Sequence, residues 1–276
     1  MRRPRSIAAR IRRPLGFGAV WLLRASAFTL LFVPIALVIV LSFGADAYTV
    51  LPPSGYSLRW YWNILARDEF VSGFLTSLTV AAVVTPASVT IATLAAYGLW
   101  KYPGARVRAF ESVLMSPVLL PLVVTGLALL VFYNRIQFYA GLWNIIIAHI
   151  IITFPYSFRA ILAALSRYDR QLDEAAASLR VRPWATFRYV TLPMIRPGLF
   201  AGGLFAFVMS FDDFATTIFL ITPDTRTLPI AIYQYMEFNL DPTVSAVSTV
   251  LVFIAVIGTL LIERLIGMDR FVGLRA

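Results

Sequence analysis

The chain has 276 residues, of which 59% are hydrophobic and only 14% are charged, a composition that excludes an ordinary soluble fold and predicts a membrane protein. It contains no cysteine, which excludes disulfide bonds, thiolate chemistry and zinc sites built on cysteine. The net charge is +10, which in a soluble protein would suggest a nucleic-acid partner. In a membrane protein the distribution of charge between the two sides matters more than its size, so we expect no nucleic-acid partner.

Six segments are long and apolar enough to cross a hydrocarbon core of about 30 Å, which takes about 20 residues. We therefore predict an all-α membrane protein with six transmembrane helices. Pro86 and Pro155 fall within two of the segments, where we expect kinks and not breaks. The segments are Ala25 to Phe43, Val71 to Leu99, Val113 to Tyr133, Leu142 to Leu165, Gly198 to Ile221 and Ser245 to Ile266.

Residues 1–24 form a basic segment before the first predicted span. An alternative is a cleavable signal peptide ending near the small residues Ala45 to Ala47. The apolar run of 19 residues is longer than a typical signal core, and its removal would leave five spans. We favour a topogenic segment that also contacts anionic lipid headgroups.

Basic residues predict the orientation. Twenty of the 24 lie in or flank the N-terminal segment, the second and fourth connections and the C-terminal tail. By the positive-inside rule, both termini and the connection 166–197 are cytoplasmic, and residues 25–276 form a single transmembrane domain. The four exceptions are Arg59, Arg67, Arg135 and Arg226.

Three features of the chain favour structural roles. The aromatic run Trp60 to Trp62 is typical of an interfacial belt, although it could also meet a binding partner. His149 is the sole histidine and has no carboxylate nearby in sequence, which disfavours a metal site or a proton relay. Gly198 and Gly202 form a small-residue motif that predicts close helix packing.

The connection 166–197 has a helical pattern of its own. Asp169, Asp173 and Glu174 precede "AAASLR", so carboxylates lie near the start of a short predicted helix and arginines near its end, as the helix dipole favours.

A second short helix is predicted from Pro183, which suits a first helical turn. Trp184, Phe187 and Val190 share one side of it, and Leu192–Pro193 is expected to end it. The apolar side could enter a groove on another protein or lie on the bilayer surface, and the pattern alone leaves both open.

The stretch "EAAASLRVRPWATFRYVTLP" resembles the EAA loop of inner-membrane permease subunits of bacterial ABC importers. The stretches "YSLRWYWNIL", "TSLTVA", "SPVLLPLVVTGLAL" and "MSFDDFATTIFL" extend the resemblance to the spermidine and putrescine subgroup. Where the family has a glycine, this chain has Arg180, which must keep a negative φ or carry strain.

The resemblance implies that the loop between the fourth and fifth spans couples the chain to an ATPase. The residues it implies for coupling are Glu174, Ala175, Ala176, Leu179, Arg180, Trp184, Phe187, Leu192 and Pro193. It implies a bacterial inner-membrane permease with a homologous second permease subunit, two copies of a cytoplasmic ABC ATPase and an extracytoplasmic solute-binding protein. The chain has no Walker-type glycine loop, so ATP and Mg²⁺ are expected on the ATPase, and no cofactor or metal in this chain.

Asp212 and Asp213 are the acidic residues deep within a predicted span, where ionisable groups are expensive and functional by default. Helical spacing places Ser210, Asp213 and Thr217 on one face, which makes Asp213 the preferred contact for a cationic substrate such as a polyamine. The alternatives are an ion pair with the second subunit or a wet, broken helix end.

Other function classes are less favoured. An intramembrane aspartyl enzyme needs two aspartates from different spans, whereas these two are adjacent. An ion-coupled secondary transporter is the better rival, but no inverted repeat is visible. Within ABC permeases, an amino acid, phosphonate or sugar substrate stays open.

Overall fold

The computed structural model describes residues 17–102 and 104–266. Within these ranges the regular secondary structure is helical, apart from one isolated antiparallel bridge between Gly44 and Tyr56. Some of the basic residues from which the orientation is predicted, those in segments 1–16 and 267–276, lie outside the described residues. The helices are α1 (Phe17–Ser42), α2 (Arg59–Ala66), α3 (Asp68–Lys101), α4 (Ala105–Leu114), α5 (Leu122–Arg135), α6 (Leu142–Leu165), α7 (Gln171–Ser178), α8 (Pro183–Thr186), α9 (Leu192–Met194), α10 (Arg196–Asp212), α11 (Leu228–Phe238) and α12 (Thr243–Ile266).

The chain divides into two compact units. Of the described residues, the first comprises 17–64 and 239–266, and the second comprises 65–102 and 104–238. In the first unit α1 packs against α12. The loop after α1 is held by two residues of the aromatic run, because Trp60 Nε1 donates to the Gly44 carbonyl at 2.7 Å and the Tyr61 hydroxyl lies 2.7 Å from Ser42 Oγ.

Trp62, the third residue of that run, is 70% exposed. Of the predicted aromatic belt, Trp62 therefore has the exposure that an interfacial residue needs, whereas its two neighbours are used in packing.

The second unit is built on α3, α6 and α10, which pack against one another. Their shared core contains fully buried Ala92, Phe158, Ile161 and Leu165, with Ile195 from the start of the α10 segment. α3 and α6 both continue through their internal prolines, which confirms the expectation of unbroken helices there.

Small residues of α10 allow its close approach to α6. A Cβ atom at Gly198 would lie 2.5 Å from Ala164 Cβ, and one at Gly202 would lie 3.0 Å from Ser157 Cα. Both positions therefore need glycine, which confirms the close packing predicted from the small-residue motif.

Four helices of the described residues are long and apolar enough to cross a membrane, and a fifth is added if a pair bent by 71° counts as one span. The four are Val20–Ser42, Asp68–Lys101, Leu142–Leu165 and Thr243–Leu260, and the bent pair is Pro183–Met194 with Arg196–Asp212.

Two predicted spans are not single helices. The segment 113–133 is divided into the end of α4, a 3-10 turn at Ser116–Leu119 and α5. Pro117 and Pro121 lie in this interruption, where they have no N–H to donate to a helical ladder. The segment 198–221 is helical only to Asp212, and a 3-10 turn at Thr217–Phe219 follows.

Candidate functional site

The loop between α6 and α10 begins with a fixed turn. Asp169 Oδ1 accepts the Gln171 N–H at 2.9 Å, and Asp173 and Glu174 lie in the first turn of α7, as the helix dipole favours. The hydroxyl of Tyr168 donates to Asp173 Oδ1 at 2.7 Å. Burial, together with this bond, raises the pKa of Tyr168 to about 12, so the phenol keeps its proton and remains a donor even at alkaline pH.

α7 ends in a Schellman motif centred on Arg180, whose φ is 57°. The Arg180 N–H donates to the Ala177 carbonyl at 2.9 Å, and the Val181 N–H donates to the Ala176 carbonyl at 3.0 Å, the two bonds that define this motif. Of the two expected alternatives, arginine therefore adopts the strained one. It takes the left-handed conformation that the family's glycine provides, at a cost of about 1 kcal/mol.

The second short helix begins at Pro183, as predicted. It passes through a π-helical turn at Phe187–Thr191 into α9 and ends at Met194, one residue beyond the predicted end at Leu192–Pro193. In this turn the Leu192 N–H bonds to the Phe187 carbonyl. The wider turn accommodates Pro193, which has no N–H to donate.

Aromatic side chains hold this loop against the end of α3. The ring centroids of Phe187 and Tyr97 are 4.8 Å apart, and those of Tyr168 and Trp100 are 5.3 Å apart. The guanidinium of Arg170 lies 4.9 Å from the centre of the Trp100 ring and also donates to the Trp100 carbonyl. These contacts attach the loop to the C-terminal end of α3.

The residues predicted for coupling divide by exposure. Glu174, Ala175, Leu179, Arg180 and Trp184 are exposed, Ala176 is buried, and Phe187, Leu192 and Pro193 are half-buried. Leu179 is 79% exposed and Trp184 is 66% exposed, and Tyr189, which the sequence analysis missed, is 73% exposed. The loop therefore presents large apolar side chains outward.

Asp212 and Asp213 lie where α10 ends, and their environments differ. Asp212 is exposed, whereas Asp213 is only 7% exposed. The backbone leaves the helix at Asp213, whose ψ is 117°. The Asp213 carboxylate accepts the N–H groups of Thr216 and Thr217 at 3.1 and 2.9 Å, and the Thr217 hydroxyl at 2.9 Å.

Ser210, Asp213 and Thr217 do come together, but not along a helix face as predicted, because the helix ends between them. They meet around His149, which is fully buried in α6. Its Nδ1 lies 2.9 Å from Ser210 Oγ, and its Nε2 lies 2.8 Å from Thr217 Oγ1 and 3.4 Å from Asp213 Oδ2. We call these four residues the His149 cluster.

The partners of His149 lie 61 to 68 residues further along the chain, so its role was not predicted from the sequence. The available signal was a histidine within a predicted span, which indicates a polar partner from another helix. Among the described residues no group of three or more His, Asp or Glu side chains could hold a metal ion, and the absence of a cofactor stays a prediction.

Comparison with known proteins connects this geometry to a family. The family described as "Binding-protein-dependent transport system inner membrane component" matches residues 64–267. The chain belongs to this family. This permease is therefore a multi-pass transport subunit of the bacterial inner membrane, not an enzyme.

Named relatives of the permease are polyamine transport subunits. The putrescine transport system permease protein PotI of Escherichia coli is 30% identical over 231 residues, which cover 81% of this chain and 82% of the relative. The spermidine/putrescine transport system permease protein PotC of Escherichia coli is 26% identical over 247 residues, which cover 89% and 92%. The predicted resemblance to this subgroup is confirmed.

The fold of the permease is also found in a solved structure. A bacterial ABC transporter involved in the import of the acidic polysaccharide alginate matches with a TM-score of 0.69 at 15% identity, over 96% of this chain and 99% of that chain. The all-helical ABC permease fold is thereby confirmed, and at this identity the match carries no argument about substrate.

Proposed function

We propose that this permease forms half of the translocation pathway for a small polyamine-like cation in an importer driven by ATP. The observation that carries the proposal is the exposed carboxylate of Asp212 at the end of α10. Relatives named for putrescine and spermidine transport support the substrate class. A carboxylate attracts an ammonium group strongly where water is scarce.

Asp212, with Asp213 beside it, marks the pathway because non-helical backbone at membrane depth needs protein or a cavity around it. α10 has 17 residues and is about 25 Å long, shorter than a hydrocarbon core of about 30 Å. Residues 213–221 complete this span as irregular chain with one 3-10 turn at Thr217–Phe219. We propose that this stretch, with Ser210 shortly before it and Thr217 within it, lies beside the solute path.

We propose six spans with cytoplasmic termini. α5 has 14 residues and is about 21 Å long, so the third span needs the preceding turn at Ser116–Leu119 to reach across. The fifth span needs residues 213–221 in the same way. An even number of spans agrees with the basic residues at both ends of the chain.

The loop from Glu174 to Pro193 is proposed to dock into a surface groove of a cytoplasmic ATPase. The outward-facing side chains of Leu179, Trp184 and Tyr189 are suited to an apolar groove, and large aromatic anchors contribute most to such contacts. Contact with the bilayer surface is the alternative. The aromatic contacts between this loop and the end of α3 favour docking, because they would carry motion from the ATPase into the spans.

The complete importer is proposed to contain a homologous second permease, two copies of the ATPase and an extracytoplasmic binding protein. ATP and Mg²⁺ bind to the ATPase, since the chain has no Walker-type glycine loop. There are two alternatives: an importer of amino acids, phosphonates or sugars, and an ion-coupled carrier. The following experiment distinguishes them from the proposed function.

The test compares Asp212→Asn with Asp224→Asn, a control that removes an exposed carboxylate from a connection predicted to be extracytoplasmic. In vesicles containing the complete importer, we expect Asp212→Asn to lower putrescine uptake about tenfold, the effect of one hydrogen bond to a charged group, and the control to have little effect. Uptake that is unchanged in Asp212→Asn, or that continues without ATP, would contradict the proposal. Competition by an amino acid, a phosphonate or a sugar, but not by spermidine, would overturn the substrate class.

A further inference from the structure

His149 bridges the two sides of the break after α10. Its ring is fully buried, and each ring nitrogen has a hydroxyl partner. Ser210 lies in α10 before the break, and Thr217 begins the short 3-10 turn after it. The imidazole on α6 therefore holds both ends of the irregular segment 213–217.

The hydrogen bonds of this cluster are satisfied by one arrangement with a neutral imidazole. An ionised Asp213 can only accept, so the Thr217 hydroxyl donates its proton to Asp213 Oδ2 at 2.9 Å. Thr217 Oγ1 then accepts from Nε2–H of His149 at 2.8 Å, which leaves Nδ1 to accept from the Ser210 hydroxyl at 2.9 Å. Each of these polar groups has a partner, and nothing in the arrangement requires solute.

The break is also enclosed from the side of α5. A Cβ atom at Gly126 would lie 2.8 Å from the Thr216 carbonyl and 2.9 Å from the ring of Phe219. The segment thus has little room to shift, and its position depends on the contacts that fix it. The exposed Asp212 is the residue directly before this fixed segment.

We infer that His149 is a positioning residue for transport, which holds Asp213 in the break so that Asp212 is the carboxylate presented to the substrate. The inference rests on the proposed function, because it assigns different roles to the two carboxylates of the same pathway. Asp213 is bonded within the protein and determines the backbone geometry, whereas Asp212 is free to meet an ammonium group.

The experiment uses the complete importer in vesicles with His149→Ala, His149→Gln and His149→Asn. A glutamine amide reaches the position of Nε2, which faces Asp213 and Thr217, whereas an asparagine amide reaches only the position of Nδ1, which faces Ser210. The readout is putrescine transported per ATP hydrolysed, because a loss of folded complex lowers both quantities together. We expect a fall of about tenfold in this ratio for His149→Ala, restoration by His149→Gln and no restoration by His149→Asn.

A second readout measures the break directly. The chain has no cysteine, so Ala215→Cys places a single thiol in the segment. We expect a water-soluble thiol reagent to modify this thiol faster in the His149→Ala background than in the parent, and His149→Gln to restore the slow rate.

The inference is overturned if His149→Ala leaves the transport ratio unchanged, if asparagine restores it and glutamine does not, or if none of the three variants assembles, which would make the role purely structural. Asp212→Asn separates this failure from that of the proposed function. Normal uptake in Asp212→Asn removes the proposed pathway. Reduced uptake in Asp212→Asn with a normal ratio in His149→Ala removes only the role of His149.

Discussion

Adjacent carboxylates in this permease have different environments because the backbone changes direction between them. A buried carboxylate is stable only if donors surround it, and Asp213 has two N–H groups and a hydroxyl for this purpose. The two hydroxyls that suggested Asp213 as the substrate contact are thus occupied in the His149 cluster. Asp212, which lacks such a cage and is exposed, becomes the preferred contact.

Arg180 permits a prediction about strain in the connection between α6 and α10. Its φ of 57° costs an L-amino acid about 1 kcal/mol more than it costs glycine. We therefore expect Arg180→Gly to stabilise the Schellman motif, even after glycine's larger loss of chain entropy is subtracted. Hydrogen exchange at the backbone amides of positions 180 and 181 should become slower by a factor of about two to five.

The matched control is Arg182→Gly. Arg182 has a φ of −62°, where glycine relieves no strain and only increases the freedom of the unfolded loop. Exchange in the same loop should become faster in this variant. Equal slowing in both variants would show that loss of positive charge, and not the backbone conformation, produces the effect.

At the scale of elements, the approach of α10 to α6 predicts the effect of adding single methyl groups. Gly198→Ala places a Cβ 2.5 Å from Ala164 Cβ and 3.0 Å from the Ala160 carbonyl, so the helices must separate. We expect a loss of stability of about 1–3 kcal/mol, as for other overpacked cores. The measurement is the apparent melting temperature of the purified importer.

Gly203→Ala serves as the neighbour that should be tolerated. Its Cβ would meet Val89 and Thr85 side chains at 3.6 and 3.7 Å, which is ordinary contact, and alanine favours a helix over glycine. The melting temperature should stay the same or rise. A similar fall in both variants would show that the helix, and not its packing against α6, is sensitive to substitution.

The two interrupted spans show how far the length of an apolar run predicts a continuous helix. α6 was predicted with the same bounds that it has in the structure, because its apolar run ends in clear turns at both sides. The run 113–133 was equally apolar, yet Pro117 and Pro121 interrupt it. A single proline in α3 or α6 is accommodated within the helix, whereas two prolines four residues apart remove donors from consecutive turns.

For the whole molecule, the predicted topology can be tested with single cysteines, because the chain contains none. Ala177 is exposed in the connection between α6 and α10, and Asp224 is exposed in the connection between α10 and α11, so a cysteine at either position is accessible. We expect an impermeant thiol reagent added to intact cells stripped of their outer membrane to modify Asp224→Cys. Ala177→Cys should react only after the inner membrane is permeabilised.

Reaction of Ala177→Cys from outside would place the connection 166–197 on the extracytoplasmic side and contradict the proposed docking to a cytoplasmic ATPase. Lack of reaction at both positions in permeabilised cells would indicate that neither site is accessible, and addition of a denaturant then provides the positive control. The positive-inside rule makes the expected outcome specific, since the connection 166–197 carries arginines on both sides of Ala177.

The sequence by itself determined the membrane class, the positions of four spans, the small-residue contact of α10 and the short helices that begin near Glu174 and at Pro183, because hydrophobic runs, glycine spacing and local motifs are properties of neighbouring residues. Tertiary structure decided the rest. It ended α10 at Asp212, placed Arg180 in the left-handed region and brought His149 to Asp213. These outcomes depend on contacts between residues far apart in the chain, where burial requires each polar group to find a partner that spacing along one helix cannot reveal.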